Sequence, residues 1–244
     1  MPVSRRTVLG VGLAGTTLLW SGRTAAAQPD SLSLPSTPLA GAAQELVTRE
    51  LATSLRNHSV RGFLFGRALA ERAGMRPGAD YDEELMFLIC VLHDIGLAEI
   101  ADGDQRFEMD GADFAAKFLE DNGLTDGRVD IVWDGIAAHT TGLTESPVYR
   151  RRRPAEIWIA VSGIGIDVAA GPGDLPPGYA DRVHRAYPRL GGTRALTAAI
   201  EAQTVANPNK APLGTLPGEI LRLRHPELAQ PTWETILESS GWGD

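Results

Sequence analysis

Several side chains in this sequence are of the kinds that can bind a metal or move a proton, and each lies in an otherwise apolar helical pattern. They are His58 in Asn57-His58-Ser59-Val60-Arg61, the adjacent His93 and Asp94 that close the run Leu85 to Leu92, and Asp167 in Gly163-Ile164-Gly165-Ile166-Asp167. Imidazole nitrogen and carboxylate oxygen are ordinary ligands for zinc and other first-row metals. Buried alone, such groups are costly, so a core that contains them must pair them, hydrogen-bond them or give them a metal. Adjacent residues point in different directions on a helix. His93 and Asp94 can nevertheless converge on one ion where the helix ends, towards Gly96. A fifth polar group, His139 in Ala137-Ala138-His139-Thr140-Thr141, also closes an apolar helical stretch. Taken singly, each has a plain structural reading. His93 can be a satisfied core histidine, Asp94 a loop residue, and His139 a histidine favoured by the negative end of a helix dipole.

Taken together, the order of a histidine, a His-Asp pair and a distant aspartate resembles the HD-domain superfamily of metal-dependent phosphohydrolases. The words NHSVRGFLFGRALAERAG, LICVLHDIGL, RFEMDGADFAAKFL, AAHTT and GIGIDV are similar, in that order, to the cyanamide-hydratase-like branch. The resemblance covers roughly residues 40 to 190 and implies a single-domain, all-α helical bundle of the HD type. It implies one divalent transition ion, zinc or iron, held by His58, His93, Asp94 and Asp167. Such an ion lowers the pKa of a bound water. Asp94 would take a proton from that water, and His139 would act across the cleft on the substrate or leaving group. Arg61, one turn after His58, either faces the same cleft or makes a structural salt bridge. Glu108 is a supporting candidate, and capping is the expected role of Asp110.

Hydration of a nitrile-like carbon and hydrolysis of a phosphate ester use the same device and differ in their surroundings. A phosphate needs several cations. Lys117 and Lys210 fall outside the matching motifs, and Arg61 is the one evident motif arginine. That balance points to a small neutral substrate, such as a nitrile or cyanamide-like compound. A phosphohydrolase and a non-catalytic exported metal-binding protein are the alternatives. A dinuclear oxygenase is disfavoured, because His139 is the one histidine between Asp94 and Asp167.

The elements that must position these groups read as helices in succession. The pattern predicts helices over 39–55, 57–73, 82–97, 111–122, 126–139 and 154–169, then shorter ones near 179–187, 193–206, 217–224 and 233–239. No alternating strand pattern, repeat, glycine-rich phosphate loop or Gly-x-Ser-x-Gly elbow occurs. Arg150 to Arg153 read as a solvated loop before Pro154, with an anion-binding rim as the alternative. His184 and His225, beside arginines, read as surface residues.

The hydrophobic fraction of 43% in 244 residues is enough for one sizeable core. A net charge of −8 argues against a general nucleic-acid-binding surface. Residues 1–27 read as a twin-arginine signal peptide: Arg5-Arg6, a short apolar run from Val8 to Trp20, and Ala25-Ala26-Ala27 as cleavage site. The apolar run is too short and glycine-rich for a membrane span, so no stable insertion is expected after cleavage. The expected partners are the twin-arginine export machinery and a small-molecule substrate, and the expected address is periplasmic or extracellular. Residues 28–37 read as a flexible lead, and 38–244 as the metal-binding helical domain with a C-terminal helical extension. Cys90 is the single cysteine, so no intramolecular disulfide forms; it reads as a small buried core residue.

Overall fold

The computed structural model describes residues 32–242. The proposed signal peptide and the first residues of the lead lie outside them. Among the described residues the chain is all-α, with no strand, as the sequence pattern requires.

Helix α1, Pro38–Glu50, starts at Thr37, whose Oγ1 accepts from the backbone N–H of Ala40, with Pro38 at the first helical position. It does not run on to Leu55 as expected. Leu51 turns extended, and α2, Thr53–Arg72, begins two residues later. That break lets both Leu51 and Leu55 reach the core. Helix α3, Glu83–Leu92, is capped by the Asp82 carboxylate on the Leu85 N–H. Every residue from Leu85 to Leu92 is buried, and α3 packs against α1 and α2. It ends at Leu92 rather than Leu97, so His93 and Asp94 lie in the turn that follows, ahead of a short 3-10 turn at Ile95–Leu97.

Helix α4, Phe107–Asp121, starts earlier than expected, so Glu108 and Asp110 belong to its first turn. Helix α5, Arg128–Ala138, packs on α3 and α4 and ends immediately before His139. The arginine run is not a loop. Pro147–Arg152 form the short helix α6, capped by the Ser146 hydroxyl. Arg150 stacks on Trp158 at 5.4 Å and Arg153 pairs with Asp134 at 3.4 Å.

Helix α7, Ala155–Gly165, continues into a π-type turn, Ile166–Ala170, that carries Asp167. Helices α2 and α7 cross at close range. A Cβ on Gly163 would stand 2.1 Å from the Gly62 carbonyl oxygen and 2.5 Å from the Gly66 nitrogen. Only glycines let the two backbones approach so far, and the approach sets His58 beside the end of α7. The remaining helices are α8, Tyr179–Ala186; α9, Thr193–Ala206; α10, Leu216–Arg224; and α11, Trp233–Ser239.

One apolar core runs from α1 to α8. The C-terminal extension is fastened to it by polar links. Gln203 on α9 donates to the Gly96 carbonyl at 2.8 Å, and Thr193 donates to the Val168 carbonyl at 2.9 Å. Lys210 is buried, with Nζ 2.5 Å from Asp102, 2.6 Å from Asp110 and 2.9 Å from the Gly103 carbonyl. Asp110 therefore does more than cap. It accepts from the backbone of Gly103 and Gln105 as well as from Lys210, and so ties the loop, α4 and the extension together. The described part of the lead is likewise anchored: Leu32 and Leu34 pack on the core, and Arg67 donates to the Ser33 carbonyl at 2.9 Å. No helix among the described residues is long and apolar enough to cross a membrane.

Candidate metal centre

His93 and His139 are positioned by one device used twice. Each is the residue after the last turn of a helix, where backbone carbonyls lack intrahelical donors. Each ring turns back so that Nδ1 donates to the carbonyl three residues earlier: His93 to Cys90 at 2.7 Å, His139 to Ile136 at 2.6 Å. A carbonyl only accepts, so Nδ1 carries the proton and Nε2 is directed elsewhere. His58 reaches the same end by another route. Its Nδ1 is 2.7 Å from Oδ2 of Asp167, and its Nε2 faces Asp94 Oδ2 at 3.9 Å.

The structure brings together His58, His93 and Asp94, all buried, each offering a ligand atom within 4.8 Å of the others. His93 Nε2 lies 3.2 Å from Asp94 Oδ2. His58 Nε2 and both oxygens of Asp94 are buried without a hydrogen-bond partner. Three converging polar atoms left unpaired in an apolar core are what a cation would satisfy, and two imidazoles with a carboxylate are a normal donor set for zinc or iron. The site therefore fits a divalent ion. The turn that forms it needs Gly96. A Cβ there would stand 1.9 Å from the Phe107 carbonyl oxygen, so the start of α4 lies directly against the His93-Asp94 turn.

Asp167 does not sit in this cluster. Its carboxylate accepts from His58 Nδ1, from Arg61 Nε at 2.8 Å and NH2 at 2.7 Å, and from Arg189 NH1 at 3.0 Å. The carboxylate holds the His58 ring from behind, an arrangement that fixes tautomer and ring orientation. The π-type turn at Ile166–Ala170 aims it there, and such turns recur at functional sites. Arg61 is likewise displaced from the cleft. It is fully buried, and its remaining donors go to the carbonyls of Tyr187 and Pro188, both at 3.1 Å. The salt-bridge reading of Arg61 is the one its contacts support.

The electrostatics follow from this packing. Burial alone would raise the pKa of Asp94, but His93, His58 and His139 outweigh it and hold the carboxyl well below its usual range. Burial likewise opposes the charged form of His93, yet Asp94 beside it raises the ring's pKa. Burial and the neighbouring His93 push His139 down to about 4. Asp167 is held low despite burial, by His58 and Arg61. Burial pushes the Cys90 thiol up, consistent with an inert core residue.

A cavity of about 130 Å³ opens on the cluster. His58, His93, Asp94, His139 and Thr140 supply its polar wall, and Phe107, Ile164 and Val168 part of its apolar wall. Leu196, Ile200 and Leu216 from the C-terminal extension complete it. Sequence reasoning missed those three, because nothing in their helices marks a site. It also missed Arg189 on Asp167, and the bond from the Thr140 hydroxyl to Glu108 at 2.7 Å. Glu108 is fully buried, with one oxygen unpartnered. His184, expected at the surface, is partly buried, 3.7 Å from Asp167 and edge-on to Phe65.

Comparison with curated proteins gives no match. The family model described as the HD domain matches residues 55–168, a stretch that begins in α2 and ends in the π-type turn, and spans His58, the His93-Asp94 pair, His139 and Asp167. HD domains are generally metal-dependent hydrolases that bind divalent ions, and over residues 55–168 the chain is similar to that domain.

Proposed function

We propose that this protein is a metal-dependent hydratase acting on a small, uncharged carbon–nitrogen multiple bond of the nitrile or cyanamide type. The observation that carries this reading is the wall of the cavity. Among the described residues no lysine or arginine lines it, and Arg61 is committed to Asp167 and two carbonyls. A phosphate ester would bring charge into a pocket with no side-chain cation to receive it. At about 130 Å³ the cavity is also below the range of drug-sized ligand sites, roughly 300 Å³ and above.

In this reading His58 and His93 through Nε2, and Asp94 through its carboxylate, would hold the ion. When bound, it supplies an acidified water near neutral pH. Asp167 and the Cys90 carbonyl keep the two liganding rings turned to the cluster. Asp94 is a weak base, because its neighbours stabilise its charge. His139 has its Nδ1 occupied and its ring held neutral, and it lines the same cavity, so its Nε2 is the better proton acceptor. The water oxygen bonds to the nitrile carbon as one π bond breaks onto nitrogen. His139 accepts one proton of the water and returns it to that nitrogen, giving an imidic acid, and transfer of the remaining hydroxyl proton to nitrogen leaves the amide. The apolar wall from the extension keeps other water out and strengthens these electrostatic effects.

The test is turnover by protein loaded with zinc or iron on a panel of cyanamide, alkyl nitriles, aryl nitriles and phosphate monoesters. Amide formation without phosphate release is expected; phosphate release alone would transfer the site to the phosphohydrolase reading. We also propose export by the twin-arginine route, on the strength of Arg5-Arg6 and Ala25 to Ala27. Arg5→Lys with Arg6→Lys should leave precursor in the cytoplasm, and undisturbed export would refute it.

A further inference from the structure

Gly165 occupies a place where glycine has no structural reason to be. It is the last residue of α7, with ordinary right-handed helical angles, φ −61° and ψ −35°. Glycine is among the poorest helix formers, so a helix normally keeps one for close packing or an unusual backbone angle. Gly163, two residues earlier, has the packing reason, since its Cβ would strike the backbone of α2. Gly165 has neither. A Cβ built on it meets nothing within 4 Å.

That open space has a definite location. Gly165 and His139 line the metal cavity, and the same two residues line a second, outer groove of about 760 Å³. A side chain at position 165 would stand on the boundary between the two. The outer groove is lined by Leu69, Val161, Ile166 and the Trp158 ring, with Glu145 and Asp174 also on its wall. Arg150 also lines it, its guanidinium over that ring at 5.4 Å and its Nε donating to the Thr144 carbonyl.

We infer that the outer groove is a second substrate subsite, joined to the metal cavity past Gly165. This rests on the hydratase reading and narrows it. The substrate is an organic nitrile whose reactive end enters the small cavity while an apolar, preferably aromatic, remainder lies along Trp158. Gly165 is the specificity-determining residue, because the missing side chain is what lets one molecule occupy both spaces. Free cyanamide would fill the inner cavity alone and gain nothing from the groove.

The experiment measures calorimetric binding of benzamide, an aryl amide of the product type, to metal-loaded protein. Wild type should bind it. Gly165→Leu should weaken binding at least tenfold with metal content and melting temperature retained, and Trp158→Ala should weaken it less. Gly165→Ala is the conservative companion, expected to keep or raise the melting temperature while binding more weakly than wild type. Wild type that does not bind benzamide, or Gly165→Leu that binds as wild type does, overturns the inference. Benzamide binding that depends on Gly165, with no nitrile hydrated, would support the subsite and sink the hydratase reading instead.

Discussion

Asp167 holds His58 by the ring nitrogen that faces away from Asp94. The contact at Nδ1 is 2.7 Å, and the opposite nitrogen, Nε2, is left facing Asp94 at 3.9 Å. One carboxylate thus orients the ring of a candidate metal ligand, and is itself held by Arg61 and Arg189. Such support from behind typically accounts for ~10–100-fold in metal affinity. Asp167→Asn should lower affinity by that order, whereas Asp94→Ala and His93→Ala should abolish tight binding. Titration with a competing chelator measures all three. If Asp167→Asn loses metal as completely as Asp94→Ala, Asp167 is a direct ligand after all.

The same substitution strips the buried Arg61 of its charge partner, an event that typically costs ~3–5 kcal/mol. It should also change the acid limb of the stability curve. The carboxyl of Asp167 is held below its ordinary value in the folded state. Its contribution is therefore fully present above the unfolded carboxylate range, about 4, and is lost as pH falls below that. Urea denaturation of metal-free protein should show wild type losing stability below about pH 4, with Asp167→Asn less stable throughout and flatter in that window.

His93 and His139 should titrate in opposite senses in metal-free protein. The raised pKa of His93 adds stability that is full below about 6.5 and is lost as pH rises through the folded value. The lowered pKa of His139 works the other way: the unfolded ring takes up a proton first, so stability falls as pH drops from about 6.5 towards about 4. Nitrogen-15 spectra of the two imidazoles should show His93 protonating first on acidification and His139 remaining neutral until about pH 4. The reverse order would refute the assignment of the charged neighbours.

Metal removal should lower the melting temperature, because an ion that binds only the folded chain stabilises it by mass action, about 2.7 kcal/mol at a free concentration of 100 Kd. His139→Ala should keep the metal-dependent shift in melting temperature and lose turnover by about a hundredfold, typical of a lost acid or base. If it loses the shift, His139 belongs to the ion rather than to the substrate.

Lys210 fastens the extension that forms one wall of the cavity. Lys210→Ala leaves Asp110 buried beside Asp102 without a cation, and breaking such a pair costs ~3–5 kcal/mol. Differential scanning calorimetry should show this loss. Hydrogen exchange in α9 should rise with it, because the links from Lys210 to Asp102 and Asp110 lie where the extension meets the α4 loop.

The sequence by itself determined the helical class, the succession of helices from 179 onward nearly to the residue, and the polar groups that converge. It could do so because apolar residues at helical spacing and a histidine or carboxylate inside such a pattern are local signals. Helix ends were less legible. The break after Glu50, the early stop at Leu92 and the early start at Phe107 each serve packing across the fold: Leu51 and Leu55 turn to the core, and Gly96 sits against Phe107. Only the tertiary structure decided that Asp167 stands behind His58, that Arg61 is buried against it, and that Leu196, Ile200 and Leu216 close the cavity. Those relations join residues more than a hundred positions apart, or arise where α2 and α7 meet through glycine. A side chain's type states what it can bind, but which of its atoms are left free depends on neighbours that only the packed chain supplies.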